Sequence, residues 1–348
     1  MPWNYCTKNA MQFFEQLIGT QSGLLLAFIV TAAVVVLAGI RLSVFGDALG
    51  DRTGLGSGLV GLIFLAAVTS LPELVVSLTS VIQCSDLQQG ADLATGNMLG
   101  SNVFNLLILA LVALLFPRKF DPNKMDTPHT DSTLYGLVML GLFALAFLAA
   151  DSSEFLIPGL RCSWATLLLP IAYGLILRRE HRQQSETKTE DHLPSEQELA
   201  QMPAWKFYSQ LGILCLLIIG GGIGLSILGS RMALPPEQGG FGLEASLIGT
   251  VFLAISTSLP ELAISIASVR MGFIDMAVGN VLGSNMFNLL IVFVADTAMR
   301  GGNLLSHASS KHWTSVGLIL LLTLFAGLLL RTRSRRTATV TAVVMIAA

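Results

Sequence analysis

Long apolar runs separated by short polar breaks occupy most of this chain. They fall near residues 22–42, 56–83, 92–116, 133–150, 155–178, 207–230, 244–270, 275–299 and 313–331. Each is about as long as the roughly 17–25 residues a helix needs to cross a bilayer. A tenth run, 337–348, is too short to cross without help from its polar flank. The pattern predicts an all-α polytopic membrane protein with about ten transmembrane helices. The first 20 residues hold an amphipathic patch, Met11 to Ile18. It lacks the basic segment and small-residue cleavage site of a secretory signal, and reads as a lead-in lying on the membrane surface.

Composition agrees. Of 348 residues, 53% are hydrophobic and 12% charged, against about 25% charged in soluble domains. The expected surroundings are therefore a lipid bilayer, with no nucleic-acid partner. The charges sort by side. One set of connections holds Arg41, Arg52, Arg118, Lys119, Lys124, Arg178, Arg179, Arg182, Lys188, Lys206, Arg270, Arg331, Arg333, Arg335 and Arg336, and the other holds Lys8, Arg161, Arg231, Arg300 and Lys311. Basic loops stay cytoplasmic. This puts the N-terminus outside and the central loop inside a plasma or bacterial inner membrane. Asp86, Asp92, Asp151, Glu154 and Glu237 give the outer connections a mild acidic bias. The four cysteines (Cys6, Cys84, Cys162 and Cys215) are scattered without a CxxC. The first, second and third fall toward one side, which allows a disulfide without specifying one.

The chain says the same thing twice. LVGLIFLAAVTSLPEL at 59–74 returns as LIGTVFLAISTSLPEL at 247–262, and GNMLGSNVFNLLI at 96–108 returns as GNVLGSNMFNLLI at 279–291. LAGIRLSVFG at 37–46 aligns with GGGIGLSILG at 220–229. Each half is then a unit of about five helices, residues 1–177 and 207–348, joined by a polar cytoplasmic linker at 178–206. An odd number of spans per repeat turns the second copy upside down. The result is an inverted-topology repeat with a pseudo-twofold axis in the membrane plane.

The motifs carry the chemistry. Pro72 and Pro260 lack an N–H and displace the carbonyls four residues back, Val68 and Ser256. A carbonyl freed in lipid must find a partner inside the protein, and a dehydrated cation is one such partner. Glu73 and Glu261 follow these prolines in otherwise apolar runs, where carboxylates are expensive and functional. Thr69, Glu73 and Ser77 are spaced i, i+4, i+8, so they share a helix face, as do Thr257, Glu261 and Ser265. Ser70 and Ser258 add hydroxyls one residue away. In the second motif Asn97, Ser101 and Asn105 share a face, as do Asn280, Ser284 and Asn288. Gly96/Gly100 and Gly279/Gly283 form GxxxG pairs that permit close helix approach. Asn102 and Asn285 point elsewhere, toward backbone or a neighbouring helix.

Two carboxylates supply up to four oxygens. Freed carbonyls, Thr69, Thr257, Ser101, Ser284 and the Asn105 and Asn288 amides supply the rest. Calcium takes 6–8 oxygens in flexible geometry, whereas magnesium demands a rigid octahedron. No histidine or cysteine lies near the motifs, which argues against zinc or copper. An all-oxygen site with two negative charges fits Ca²⁺, or Na⁺ ions in its place. These ions are cargo, and no cofactor is expected.

At these residues the chain resembles the cation/calcium antiporter superfamily, the sodium/calcium exchangers and their prokaryotic relatives. Their repeats look like TSLPE followed by GNxxGSNxxN, and both copies match. The resemblance implies ten helices in two inverted five-helix repeats with a mid-membrane site. It makes Glu73 and Glu261 the central calcium ligands. Thr69, Ser70, Thr257 and Ser258 would line the ion sites, Ser101, Ser284, Asn105 and Asn288 would stand opposite, and the Ala66 and Ala254 carbonyls would be sodium ligands. The chain departs from some exchangers in carrying amides at both Asn105 and Asn288, where they have Asp. The core charge is then −2, matched by one Ca²⁺, two Na⁺ or two protons.

The expected activity is exchange of Ca²⁺ for Na⁺ by alternating access, with an H⁺- or K⁺-coupled exchanger of the same fold as the alternative. A cation channel is the rival from another class. An intramembrane hydrolase is disfavoured, because His129, His181, His192, His307 and His312 all lie between the apolar runs. No enzymatic activity is expected. Asp296, a membrane-level acid without a repeat partner, is expected at an interface rather than in the site.

Overall fold

The structure, a computed structural model, describes residues 19–84, 86–120, 129–150, 163–184, 199, 201–242, 256–299, 303–332 and 334–348. The amphipathic lead-in, Cys6, Cys162 and residues 244–255 of the predicted seventh span lie outside them. Ten helices longer than ten residues follow in chain order among the described residues: α1 (Gln21–Thr53), α2 (Ser57–Gln83), α3 (Leu87–Leu115), α4 (His129–Leu148), α5 (Trp164–Gln184), α6 (Ala204–Ala233), α7 (Leu259–Met271), α8 (Ile274–Ala298), α9 (His312–Arg331) and α10 (Arg335–Ala347). Seven are long and apolar enough to cross a membrane: α1, α2, α3, α4, α6, α8 and α9. α10 is the shorter apolar helix expected from the last run. The chain is an all-α integral membrane protein of about ten helices in two inverted repeats.

Burial separates an inner layer from an outer one. In the most apolar stretch of each helix, 78% of α8 and 61% of α2 and α3 is buried, against 28% of α1 and 33% of α6. The packing has the symmetry of the repeat. α1 of the first half lies against α7 of the second, and α6 lies against α2. α4 and α5 pack on α8, while α9 and α10 pack on α3. Each half therefore completes the core of the other.

Three local features depart from the sequence pattern. α1 runs to Thr53, eleven residues beyond its apolar run. Charges at Arg41, Asp47, Asp51 and Arg52 end hydrophobicity without ending helix propensity, and the Gly54 cap in the left-handed region (φ 71°) stops it. The extension is anchored: Arg52 donates to the carbonyls of Leu199 and Met202, both at 2.5 Å, and lies 4.2 Å over the Phe207 ring. This ties α1 to the chain entering α6.

The second departure is in α2, where Val60–Leu65 form a π-helical turn and Pro72 sits within a continuous helix, Ala66–Gln83. The third is that the two proline motifs are not equivalent. Pro260 occupies the first turn of α7, and Ser258 before it has left helical geometry (φ −97°, ψ 17°). The missing proline N–H is harmless at a helix start. In α2 the π turn ends seven residues before Pro72, and the helix continues through the proline.

The inner helices meet backbone to backbone. A Cβ on Gly279 would lie 2.4 Å from the Gly58 carbonyl oxygen, and one on Gly283 would lie 2.2 Å from that of Leu62. The GxxxG of the second repeat thus serves packing on α2 of the first. Gly100 in the first repeat has nothing within 4 Å of such an atom among the described residues.

Candidate cation site between the repeats

Glu73 on α2 and Glu261 on α7 are both fully buried. Each is touched by a hydroxyl from the other repeat. Ser258 donates to Glu73 Oε1 at 3.4 Å, and Ser70 donates to Glu261 Oε1 at 3.5 Å. A second hydroxyl, Ser101 on α3, donates to Glu73 Oε1 at 3.4 Å. The twofold relation inferred from duplicated motifs is therefore present at the level of single atoms.

Thr69 stands between the proline helix and α8. Its hydroxyl lies 3.3 Å from Ser284 Oγ, 3.3 Å from the Ala66 carbonyl and 3.5 Å from Asn280 Oδ1. The Ala66 carbonyl faces Thr69 of its own helix, and Ala254 lies outside the described residues. Thr257 and Ser258 are buried beside Glu261 in sequence, at the start of α7. Asn105 and Asn288 are fully buried. Among the described residues both side-chain polar atoms of Asn105 lack a hydrogen-bond partner, and Asn288 donates to Asn102 Oδ1 at 3.0 Å while its own Oδ1 lacks one.

The remaining polar residues are struts. Asn97 donates to the Glu73 carbonyl at 3.1 Å and to Ser77 Oγ at 3.0 Å. Asn280 donates to Ser265 Oγ at 3.3 Å in the equivalent place. Asn102 and Asn285 do bond a neighbouring helix, and they do so reciprocally: each amide donates to the other's backbone carbonyl at 3.3 Å. Asp296, expected at an interface rather than in the site, is fully buried and brackets the end of α8. It accepts from Ser163 N at 2.8 Å, Thr166 Oγ1 at 2.5 Å and Leu304 N at 2.8 Å. Gly222 on α6 was missed by motif reasoning. A Cβ there would lie 2.4 Å from Pro72 Cγ and 3.4 Å from Pro260 Cγ, so α6 seats against both proline rings. Its alignment with Gly39 was the available signal.

This arrangement suits a desolvated cation. The hydroxyl contacts to the carboxylates are long beside the ~2.7–2.8 Å usual for O–H···O bonds. The oxygens are gathered without closing on each other. Among the described residues Glu73 Oε2, Glu261 Oε2, Asn105 Oδ1 and Asn288 Oδ1 are buried with no donor, a costly state unless something positive meets them. Among the described residues no three His, Cys, Asp or Glu side chains gather as a metal cluster. The donor set is two carboxylates with hydroxyls and amides, which is hard-cation chemistry.

Fold and site together define a membrane transporter of the inverted-repeat class, with its polar groups at the repeat interface. The chain belongs to the sodium/calcium exchanger protein family, whose pattern matches residues 23–177 and 212–348. It is 31% identical over 283 residues to the inner membrane protein YrbG of Escherichia coli (strain K12), covering 79% of this chain and 80% of that one. The sodium/calcium exchanger MaX1 of Methanosarcina acetivorans is 26% identical over 280 residues, covering 69% and 73%. The solved sodium-calcium exchanger NCX_Mj shares the fold at TM-score 0.63 and 18% identity, over 93% of this chain and 98% of that one. The protein is accordingly a cation/calcium exchanger, from a family of transporters and not of enzymes.

Proposed function

We propose that this protein is a secondary active antiporter that exchanges Ca²⁺ for Na⁺ by alternating access. The observation that carries the reading is the reciprocal pair Ser258–Glu73 and Ser70–Glu261, which makes one anionic site out of two oppositely oriented repeats. Glu73 and Glu261 are its charged ligands. Thr69, Ser70, Thr257, Ser258, Ser101 and Ser284 supply hydroxyls, Asn105 and Asn288 amide oxygens, and Ala66 and Ala254 carbonyls. Ca²⁺ and its counter-ions compete for these oxygens. An empty site of charge −2 is costly to move through a low-dielectric barrier, so the protein changes face only when loaded. That makes transport an exchange instead of a leak.

Residues 1–177 and 207–348 are the two transport repeats and 178–206 the linker. The positive-inside rule places the linker in the cytoplasm and the N-terminus outside. Two contacts support this reading: Arg52 at the end of α1 bonds the linker residues Leu199 and Met202, and Lys119, just after α3, bonds the Arg270 carbonyl at the end of α7.

The amides at Asn105 and Asn288 favour a second reading of the coupling ion. With only two carboxylates, two protons balance the site as well as two Na⁺ do. The deciding experiment is calcium uptake into sealed vesicles with outward Na⁺, K⁺ or H⁺ gradients imposed one at a time. Uptake driven by Na⁺ alone supports the first reading, and uptake driven by pH without sodium supports the second. Calcium flux that ignores every counter-ion gradient would make the protein a channel and reject both.

A further inference from the structure

A second site lies outside the ion pathway, on the bilayer-facing flank where α1 crosses α7. Val36 and Ile40 on one side and Leu262 and Ile266 on the other wall a fissure of about 540 Å³. That is within the ~300–1,000 Å³ of pockets that hold apolar ligands. Its walls are aliphatic except at one end, where Arg270 lines it. Arg270 is exposed at the end of α7. The Lys119 ammonium reaches the Arg270 backbone carbonyl and adds a second exposed cation. Among the described residues neither cation has an acidic partner.

We infer that this fissure binds an anionic phospholipid, with an acyl chain between α1 and α7 and the headgroup phosphate on Arg270 and Lys119. An apolar trough with cations at its interfacial mouth matches the two ends of such a lipid. Basic pockets between membrane helices are the usual way proteins select anionic headgroups. The location has a consequence for transport. Leu262 lies one residue after Glu261, so the chain lies along the back of the helix that carries half of the ion site. It also lies between that helix and α1, one of the two least buried spans.

Lipid retention through purification tests this. Protein extracted from vesicles holding equal amounts of phosphatidylglycerol and phosphatidylcholine should keep the anionic lipid about fivefold or more over the zwitterionic one in native mass spectra, the factor expected for roughly one basic side chain at an anionic headgroup. Arg270→Gln should bring the ratio toward one, and Arg270→Lys should retain it. Glycerol phosphate, which has the charge without the chains, should displace nothing. Equal retention of both lipids by the unmodified protein would overturn the proposal without bearing on ion exchange. So would an unchanged ratio in Arg270→Gln, or displacement of the lipid by glycerol phosphate.

Discussion

Ser258, from the second repeat, donates its hydroxyl to Glu73 of the first at 3.4 Å, and Ser70 returns the contact to Glu261 at 3.5 Å. Neither half of the chain can assemble the site alone, because each carboxylate is lined in part by the other half. The two residues that matter most are nearly 190 positions apart and equivalent by symmetry.

Removing either charge should therefore be equally damaging. Glu73→Gln or Glu261→Gln leaves one carboxylate facing a divalent ion, a loss on the order of 3–5 kcal/mol for a buried charge partner. Calcium uptake in vesicles should fall by at least about 100-fold in each variant. Ser70→Ala and Ser258→Ala each remove one hydroxyl, worth about 1 kcal/mol, and should raise the half-saturating Ca²⁺ concentration about fivefold. Wild-type-like flux in either Gln variant would dismiss the assignment.

Charge balance predicts electroneutral exchange. One Ca²⁺ against two monovalent cations moves no net charge. A third Na⁺ would leave the core at +1, unfavourable at low dielectric, and would couple transport to voltage by about 2.3 kcal/mol per 100 mV. That is roughly fiftyfold in the calcium gradient sustained at equilibrium. Clamping vesicle potential with potassium and valinomycin should leave the gradient unchanged. Asn288→Asp adds a third negative charge and should make the same measurement voltage-sensitive.

The contact of α8 with α2 should tolerate no side chain. A Cβ at Gly283 would lie 2.2 Å from the Leu62 carbonyl oxygen and 2.8 Å from Ala66 Cβ, and backbone has no rotamer by which to yield. Gly283→Val should cost about 3 kcal/mol or more, at the upper end of overpacking, and appear as loss of monodisperse protein in detergent. Gly317→Val on α9, where nothing lies within 4 Å, should behave as wild type.

Asp296 should prove structural. Its carboxylate joins Ser163, Thr166 and Leu304, and three donors lose their acceptor if it is removed. Asp296→Ala should lower stability by about 3 kcal/mol, judged from charge-assisted bonds of about 1.5–3 kcal/mol each and their non-additivity. A lower thermal midpoint with an unchanged half-saturating Ca²⁺ concentration is the expected result. A shifted calcium affinity at full stability would instead place Asp296 in the transport pathway.

Glu73, Glu261 and the i, i+4, i+8 faces around them were legible from residue order, because helix periodicity is a local rule and an acid in lipid stands out against its neighbours. The duplicated text also implied the inverted halves. Other features depend on which backbones meet. The π turn at Val60–Leu65, the mutual amide clasp of Asn102 and Asn285, the seat of Gly222 on both prolines and the bracket around Asp296 involve partners far apart in sequence or a single surplus residue with no compositional mark. Proline likewise reads the same in both motifs, yet Pro72 lies inside a helix and Pro260 starts one. Local chemistry names the groups able to hold an ion. Distances between helices, set by the close approach of Gly279 and Gly283 to α2, decide which of those oxygens face one another, because close packing is a property of two surfaces and is written in neither alone.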